Sequence, residues 1–269
     1  MRKNTLGIAG AALSAGLIFS VTGLAQDFQK SYSAAKDETI RIHTISGDIK
    51  VDGYDGTKIV VEGYKVGRNR ERVEIVDRSG DSRIDLEVHY PENCNCDASV
   101  NFQVRVPNGI SFNFDNIRSV SGNVHLGDVA GHVRAESISG SVGVSNVSGV
   151  VSATSVSGNV SVNNVSGIVN AGSTSGNVDV YLRRVEGAGD MSFSSISGRV
   201  SVKVPVDLDA YVVMDTLSGS LKTDFPLEIQ QRRYGPGYLA RGRLGAGTYR
   251  ISIKSVSGRV SLTKDLTKG

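Results

Sequence analysis

Seven glycines spaced nine residues apart constrain this chain more than any other feature of its sequence. Around them an 18-residue unit repeats from Ser119, Ser137 and Ser155, with a shorter copy from Ser173. The glycines are Gly122, Gly131, Gly140, Gly149, Gly158, Gly167 and Gly176. A short fixed period of this kind is typical of chains that stack similar coils. The sequence therefore predicts an all-β, single-chain parallel β-solenoid, of the β-roll or β-helix type, with about 18 residues per central coil.

Apolar and polar residues alternate within each unit, and this alternation predicts two strands per coil. The inward positions are predicted to be Val120, Gly122, Val124 and Leu126 on the first strand, and Val129, Gly131, Val133 and Ala135 on the second. The outward positions of the first strand are predicted to be Ser119, Ser121, Asn123 and His125. The alternation shifts at Gly127-Asp128 and at Glu136-Ser137, so we expect a two-residue corner at each place.

Small and turn-forming residues fall at regular places in these coils. An inward glycine leaves space at mid-strand, so we expect the two sheets to lie close together. Asp128, Asn146 and Asn164 recur at the first corner. Asn and Asp tolerate left-handed backbone angles, which tight corners require.

The residues on both sides of the regular array keep echoes of the repeat, at Ile45-Ser46-Gly47, Ile196-Ser197-Gly198 and Val256-Ser257-Gly258. A stack of coils needs covered ends, because exposed strand edges invite aggregation. We expect the flanks to form wider capping coils rather than separate domains. The predicted divisions are an N-terminal β-region at 26–117, the regular solenoid at 118–190, and C-terminal coils at 191–269 with a loop at 226–247.

The first 25 residues have the organisation of a secretory signal peptide. Arg2 and Lys3 precede an apolar stretch, and small residues lead up to Ala25, where we expect cleavage. An uncleaved membrane anchor is the alternative. No later segment is apolar enough to cross a membrane, so we predict an exported protein, periplasmic or extracellular.

The charge balance of the remaining chain argues against nucleic-acid binding. Without Arg2 and Lys3 there are 28 basic and 27 acidic residues. Proteins that bind nucleic acids generally carry a basic excess on one face. The chain has 32 glycines and no tryptophan, which suits repetitive β-structure with many turns.

The SxSGxV repeat behind a signal peptide resembles the bacterial "putative adhesin" family of unknown function. The resemblance covers roughly residues 37–264, through the Ser-Gly-Asn/Asp/Arg-Val pattern that recurs in register. It implies a solenoid of β-strand repeats. It offers no catalytic residues to transfer.

Cys94 and Cys96 are the only cysteines of the chain. In an oxidising compartment we expect a disulfide between them. Free or intermolecular thiols are one alternative. Metal binding is the other, and it would require His89 and Asp97 to complete the ligand set, because two sulfurs are too few.

A basic and aromatic segment after Gln230 interrupts the coils and is the predicted ligand-binding loop. Its candidate residues are Arg232, Arg233, Tyr234, Tyr238, Arg241 and Arg243. Arginine and tyrosine together can bind anionic sugars, lipid headgroups or an acidic partner. A solvated hairpin extension is the simpler interpretation of the same residues.

The central coils lack groups for catalysis or metal binding. Calcium-binding β-rolls carry GGxGxD at their corners, whereas only Asp128 supplies a corner carboxylate here. Polysaccharide-cleaving β-helices need clustered carboxylates, and those of this chain are scattered. We therefore predict no catalytic, cofactor-binding or metal-binding residues and no cofactor. Outward rows of Ser and Asn, such as Ser139 beside Ser141, are a further candidate binding surface or simply a soluble face.

These observations favour a non-enzymatic scaffold or adhesion protein of the cell envelope, with an envelope glycan or another protein as its partner. The first alternative is a sensor or accessory module that binds a glycan or polyanion through the Arg/Tyr loop. The second is an enzyme acting on polysaccharide.

Overall fold

The structure is a computed structural model that describes residues 27–232 and 235–266. The predicted signal peptide lies outside the described residues. Within them the chain forms 22 β-strands and one turn of 3₁₀-helix, Arg70–Arg72. None of the described residues forms a helix long and apolar enough to cross a membrane.

The strands are numbered in chain order. The N-terminal region contains β1 Phe28–Ser33, β2 Thr39–Thr44, β3 Ile49–Tyr54, β4 Lys58–Gly67, β5 Glu74–Asp77, β6 Arg83–His89 and β7 Ala98–Pro107. The central region contains β8 Ser111–Ser119, β9 Val124–Gly127, β10 Ala130–Ser137, β11 Val142–Ser145, β12 Ser148–Ser155, β13 Val160–Ser173 and β14 Val178–Arg184. The C-terminal region contains β15 Met191–Ser195, β16 Val200–Pro205, β17 Ala210–Thr216, β18 Leu221–Thr223, β19 Ile229–Gln231, β20 Tyr238–Leu244, β21 Tyr249–Ser255 and β22 Val260–Asp265.

The strands build two long sheets that share one strand. Sheet one has the order β1-β4-β7-β3-β9-β11-β13-β14-β16-β22-β18. Sheet two has the order β5-β6-β2-β8-β10-β12-β13-β15-β21-β17-β20-β19. β13 runs through a corner and pairs in both. Antiparallel pairs occur only toward the ends, so the predicted parallel β-solenoid with two strands per coil is confirmed.

The coils do not stack in chain order at either end. The first coil of the chain, β2 with β3, lies between the coil of β6 and β7 and the coil of β8 and β9. The last coil, β21 with β22, lies between the coil of β15 and β16 and the coil of β17 and β18. Each of these two coils therefore pairs on both of its sides.

Columns of β-branched side chains fill the space between the sheets, as the alternation predicted. Val124, Val142, Val160 and Val178 stack in sheet one, and each is at most 1% exposed. Val133, Val151 and Val169 form the matching column of sheet two. Burying each such side chain contributes about 1.5–3 kcal/mol relative to leaving it in water. The core is thus repeated coil by coil.

The corner that follows sheet two differs from the prediction. β10 continues through Glu136 and Ser137, and the chain bends after them, at residues 138–141. The predicted inward column of Val120, Ile138 and Val156 is therefore wrong, since Val156 is 45% exposed. The serine that precedes each of these residues, predicted to point outward, is buried instead.

The buried serines of the regular array, Ser119, Ser137, Ser155 and Ser173, each bond two glycines of neighbouring coils. The Ser137 hydroxyl donates to the carbonyl of Gly122 in the preceding coil at 2.8 Å, and it accepts the N–H of Gly140 in its own coil at 2.9 Å. A buried hydroxyl must be hydrogen-bonded to be tolerated, and these two bonds provide for it. The side chains that donate to the preceding coil in this way are Ser119, Ser137, Ser155, Ser173, Ser195, Ser255 and Thr216.

The glycines are required by the close stacking of coils. A Cβ on Gly140 would lie 2.0 Å from the carbonyl oxygen of Gly122. In the second series, Gly149 has φ +138°, and a Cβ there would lie 2.1 Å from the carbonyl oxygen of Gly131. Glycine therefore relieves contacts along the solenoid axis. This reason replaces the expectation from the sequence that glycine mainly brings the two sheets together.

The Asn and Asp corner behaves as predicted. Asp128, Asn146 and Asn164 all have left-handed backbone angles, with φ of 57°, 54° and 56°. Their side chains also bond from coil to coil: Asn146 Nδ2 donates to Asp128 Oδ1 at 2.9 Å, and Asn164 Nδ2 donates to Asn146 Oδ1 at 2.7 Å. These polar groups are thus occupied by structural contacts.

Replacing one buried serine tests the serine–glycine bonding. Ser155→Ala leaves the Gly140 carbonyl and the Gly158 N–H without the hydroxyl that each contacts. We expect a loss of about 1–3 kcal/mol in the free energy of unfolding, because buried polar groups lose a partner. The measurement is urea unfolding followed by circular dichroism. The exposed Ser157→Ala is the control, and equal effects of the two variants would contradict the assigned role.

A carboxylate joins the edge strands of the two sheets at the N-terminal end. Asp77 of β5 accepts hydrogen bonds from Lys30 Nζ at 2.5 Å and from the Tyr32 hydroxyl at 2.9 Å, both on β1. Partial burial raises the pKa of Asp77. Hydrogen bonds from Lys30, Ser79 and Tyr32 outweigh that effect and lower its pKa to about 2.

The lowered pKa of Asp77 predicts an acid-sensitive contact between the two edges. The carboxylate stabilises the folded chain fully above the ordinary pKa of 3.8, and this contribution is lost as the pH falls toward 2. We expect Asp77→Asn to be less stable than the unmodified protein at pH 6. By about pH 2 the difference should shrink to less than half. Urea titrations of both proteins across this range measure it, and a difference independent of pH would contradict the assignment.

Candidate functional site

The basic segment predicted as a loop forms mostly β-structure. β19 and β20 pair antiparallel, and β20 pairs antiparallel with β17, so this hairpin covers the C-terminal edge of sheet two. Arg233 and Tyr234 lie outside the described residues. The remaining candidates of the segment are not gathered at one point.

Of these candidates, Arg232 is engaged in a structural contact, and Tyr238 is set apart from the others. Arg232 Nη2 donates to both carboxylate oxygens of Asp215 on β17. Its side chain is 35% exposed, and its Nε is buried without an acceptor among the described residues. Tyr238 pairs with Thr216, so it lies on the opposite face of β20 from Arg241 and Arg243, where it is 37% exposed.

Arg241 and Arg243 point outward from β20, on the same face as Tyr211 of β17 and the cations of β21. Tyr211 on β17 lies opposite Arg243 on one side and opposite Arg250 of β21 on the other. The Arg250 guanidinium lies 5.6 Å from the centre of the Tyr211 ring, a cation–π contact. Lys254 is the next exposed cation along β21. We call this set, Tyr211, Arg241, Arg243, Arg250 and Lys254, the C-terminal basic face.

The spacing within the C-terminal basic face follows from sheet geometry. Arg243 and Arg250 are separated by one intervening strand, which is about 10 Å. Arg241 and Arg243 are two residues apart on one strand, which is about 7 Å. Such an array presents several positive charges that one extended polyanion can contact together. An isolated small anion would meet only one or two of these groups.

A shallow cleft of about 400 Å³ lies against this face. Tyr211, Arg243 and Arg250 line it together with Asp190 and Thr248. The turn beside the cleft is fixed by Asp209, which accepts a hydrogen bond from the Thr248 hydroxyl and one from the Gly247 N–H at 2.6 Å. These bonds hold the pKa of Asp209 below its usual range. The turn therefore keeps its form while its carboxylate stays ionised.

The sequence interpretation found only part of this face. Arg241 and Arg243 were named, whereas Arg250, Lys254 and Tyr211 were not. The alternation of buried and exposed residues along β21 signals that Arg250 and Lys254 point outward. No sequence pattern indicated that β17 and β21 would lie next to β20.

The other polar groups of the central coils are held in structural contacts. Glu136 bonds Arg134 at 2.8 Å, and Asp179 lies 3.6 Å from Arg199. The outward asparagine row is used similarly, since Asn123 Oδ1 accepts the backbone N–H of Ser141 in the next coil. Among residues 27–232 and 235–266, no three His, Cys, Asp or Glu side chains come together as a metal site would require.

The sequence matches the Toastrack family, DUF4097, over residues 67–263. The chain belongs to the Toastrack family. No curated protein matches the sequence. The Toastrack match runs from the end of β4 into β22 and so includes the regular array and the whole C-terminal basic face.

Solved structures similar to this Toastrack chain carry adhesion-related descriptions. One is a "putative cell adhesion protein" from Clostridium sporogenes, with 12% identity and a TM-score of 0.31, covering 88% of this chain and 99% of that one. A "putative adhesin" from Bacteroides fragilis has 14% identity and a TM-score of 0.34, with coverage of 88% and 96%. Another from Parabacteroides merdae has 10% identity and a TM-score of 0.33, with coverage of 88% and 95%.

Cys94 and Cys96 lie at the opposite end of the Toastrack solenoid, in the loop between β6 and β7. The structure joins them as a disulfide, with their Cα atoms 5.0 Å apart. The loop is thus far from the C-terminal basic face in the order of coils. The two cysteines and the basic segment do not form one site.

The disulfide remains a prediction, and mass spectrometry of the intact protein tests it. Protein purified without reductant and treated with an alkylating reagent under denaturing conditions should gain no label, because both sulfurs are bonded. After reduction it should gain two labels. Two labels without prior reduction would contradict the disulfide, and a dimer released by reductant would favour intermolecular pairing.

Proposed function

We propose that this Toastrack protein is an exported, non-enzymatic scaffold or adhesion protein of the cell envelope, and that its C-terminal basic face contacts an anionic envelope polymer. The observation that carries the proposal is the outward alignment of four cations on β20 and β21, the two strands that flank β17: Arg241, Arg243, Arg250 and Lys254. The signal-peptide pattern of residues 1–25 supports export.

The local arrangement supports polymer binding better than the overall charge does. The chain after residue 25 is almost balanced, with 28 basic and 27 acidic residues. A nearly neutral protein attracts polyanions weakly as a whole, so binding depends on a local concentration of cations. Guanidinium groups bind carboxylates and phosphates through paired hydrogen bonds, and three of the four cations are arginines.

A rigid sheet is a suitable support for such a face. β17 is paired on both sides, with β20 and with β21, so the cations on these strands are held at fixed intervals. Less side-chain and backbone freedom is lost on binding when the supporting strands are already ordered. The same face would serve a sensor or accessory module that recognises the same polymer.

Neutralising the C-terminal basic face tests the proposal. We expect Arg241→Ser/Arg243→Ser/Arg250→Ser to raise the Kd for labelled dextran sulfate and for polygalacturonate at least about tenfold at about 0.1 M salt. The reason is the loss of three charges that one polymer can contact together. Fluorescence anisotropy measures the change.

The matched control removes the same charge at the other end of the solenoid. Arg68, Arg70 and Arg72 lie at and just before the 3₁₀ turn and are exposed. Their combined change to Ser should alter the Kd less than about twofold. Equal weakening by both variants would indicate general charge attraction, and no weakening by the first would exclude this face.

A further inference from the structure

At eight corners where the chain passes from sheet two to sheet one, the side chain is at least partly exposed and, with one exception, apolar; Val120 and Ile138 are half-buried. In spatial order along the solenoid these positions are Ile45, Val120, Ile138, Val156, Thr174, Ile196, Val256 and Leu217, which we call the corner stripe. Ile196 is 51% exposed, Leu217 46% and Ile45 44%. Contiguous exposed apolar side chains on a soluble protein mark an interaction surface. Only Thr174, at the middle, departs from the pattern.

Backbone hydrogen bonds hold the corner stripe in register. The Ser175 N–H donates to the Val156 carbonyl, and the Ser197 N–H donates to the Thr174 carbonyl, both at 2.9 Å. The same bond recurs at the other corners, so neighbouring stripe residues are one strand spacing apart, about 4.8 Å. Eight positions therefore form a straight, rigid row about 34 Å long.

A row that carries charged side chains toward both ends and neutral residues at its middle runs beside the corner stripe on sheet two. We call it the flanking row, and its members in the same spatial order are His43, Arg118, Glu136, Thr154, Gly172, Ser194, Lys254 and Asp215. Grooves of about 410 and 430 Å³ lie between this row and the stripe. On the other side of the stripe each coil presents a serine, which is neutral.

We propose that a second copy of this chain covers the corner stripe, packed antiparallel about a two-fold axis at Thr174. In that arrangement the flanking row of one copy faces the flanking row of the other copy, and the two rows run in opposite directions. Glu136 then meets Lys254 of the second copy, and Arg118 meets Asp215 of the second copy. The apolar residues pair in the same register, Ile138 with Val256 and Val156 with Ile196, because the stripe and the row share their spacing.

The charges select this register over its neighbours. A shift by one coil in one direction places Arg118 opposite Lys254, and a shift in the other direction places Glu136 opposite Asp215. Both shifts bring like charges together, which is unfavourable. Glu136 also bonds Arg134, and Asp215 also bonds Arg232, but a carboxylate can accept several hydrogen bonds.

The size of the contact predicts a weak, concentration-dependent dimer. Seven coils overlap in the proposed register, about 29 Å of stripe. With a width of about 15–20 Å, each copy buries about 450–600 Å², near the lower limit for a specific interface. We therefore expect a Kd in the micromolar range, measured by sedimentation velocity over a concentration series.

Charge exchange provides the decisive test. Glu136→Lys and Lys254→Glu should each weaken the dimer at least about tenfold, and the double variant should regain most of the affinity. Within one chain these two side chains lie four coils apart, about 19 Å, so rescue arises only between copies. A protein that stays monomeric to about 1 mM, or a double variant no better than either single variant, would overturn the proposal.

Two further variants test the stripe and the direction of packing. Ile196→Asp should weaken the dimer at least about tenfold, while Val206→Asp, an equally exposed position off the stripe, should not. Thr174→Cys should cross-link the dimer under mild oxidation because Thr174 faces its own copy, whereas Val120→Cys should not. Equal cross-linking of both would indicate parallel packing and overturn the antiparallel arrangement. Circular dichroism of each variant confirms that it is folded.

Discussion

The hydrogen bonds between buried serines and glycines are the interaction on which the rest of this solenoid depends. In the regular array each hydroxyl contacts a glycine of its own coil and one of the preceding coil, as Ser155 does with Gly158 and Gly140. This close approach excludes a Cβ at the glycine. It also turns the following residue, Val156, out of the core. One contact thus sets the height of each coil, requires glycine, and creates the corner stripe.

The ends of the stack depend on a different constraint, the need to pair every long strand edge. The β2–β3 coil and the β21–β22 coil are inserted one place inward, and antiparallel strands cover both edges at the N-terminal end and the C-terminal edge of sheet two. This insertion brings β17, β20 and β21 side by side. The C-terminal basic face is therefore a consequence of how the solenoid is closed. The regular coils contribute spacing and rigidity, and the closing strands contribute charge.

The two proposed surfaces use the same scaffold for different contacts. The corner stripe gains its regularity from the coil spacing, since the residues of the stripe and those of the flanking row recur at the same interval. The C-terminal basic face lies across strands instead of along a corner. The two meet at Lys254, at the edge of both. A dimer built on the stripe would carry one basic face toward each end of the antiparallel pair.

The sequence alone determined the coil period, the two strands per coil, the valine columns and the left-handed Asn/Asp corners, because these follow from local alternation and local backbone preference. It misplaced Ser137 and Ile138, since alternation loses its meaning at a bend, and the bond that buries Ser137 reaches a glycine 15 residues away. The sequence indicated Arg241 and Arg243 as candidate binding residues, but it did not indicate that Arg250 belongs to the same face. Only the tertiary structure decided the order of the terminal coils. Similar Ser-Gly echoes recur there, and which two become neighbours depends on pairing between distant strands, as in the bond from Ser255 to Gly198, 57 residues apart.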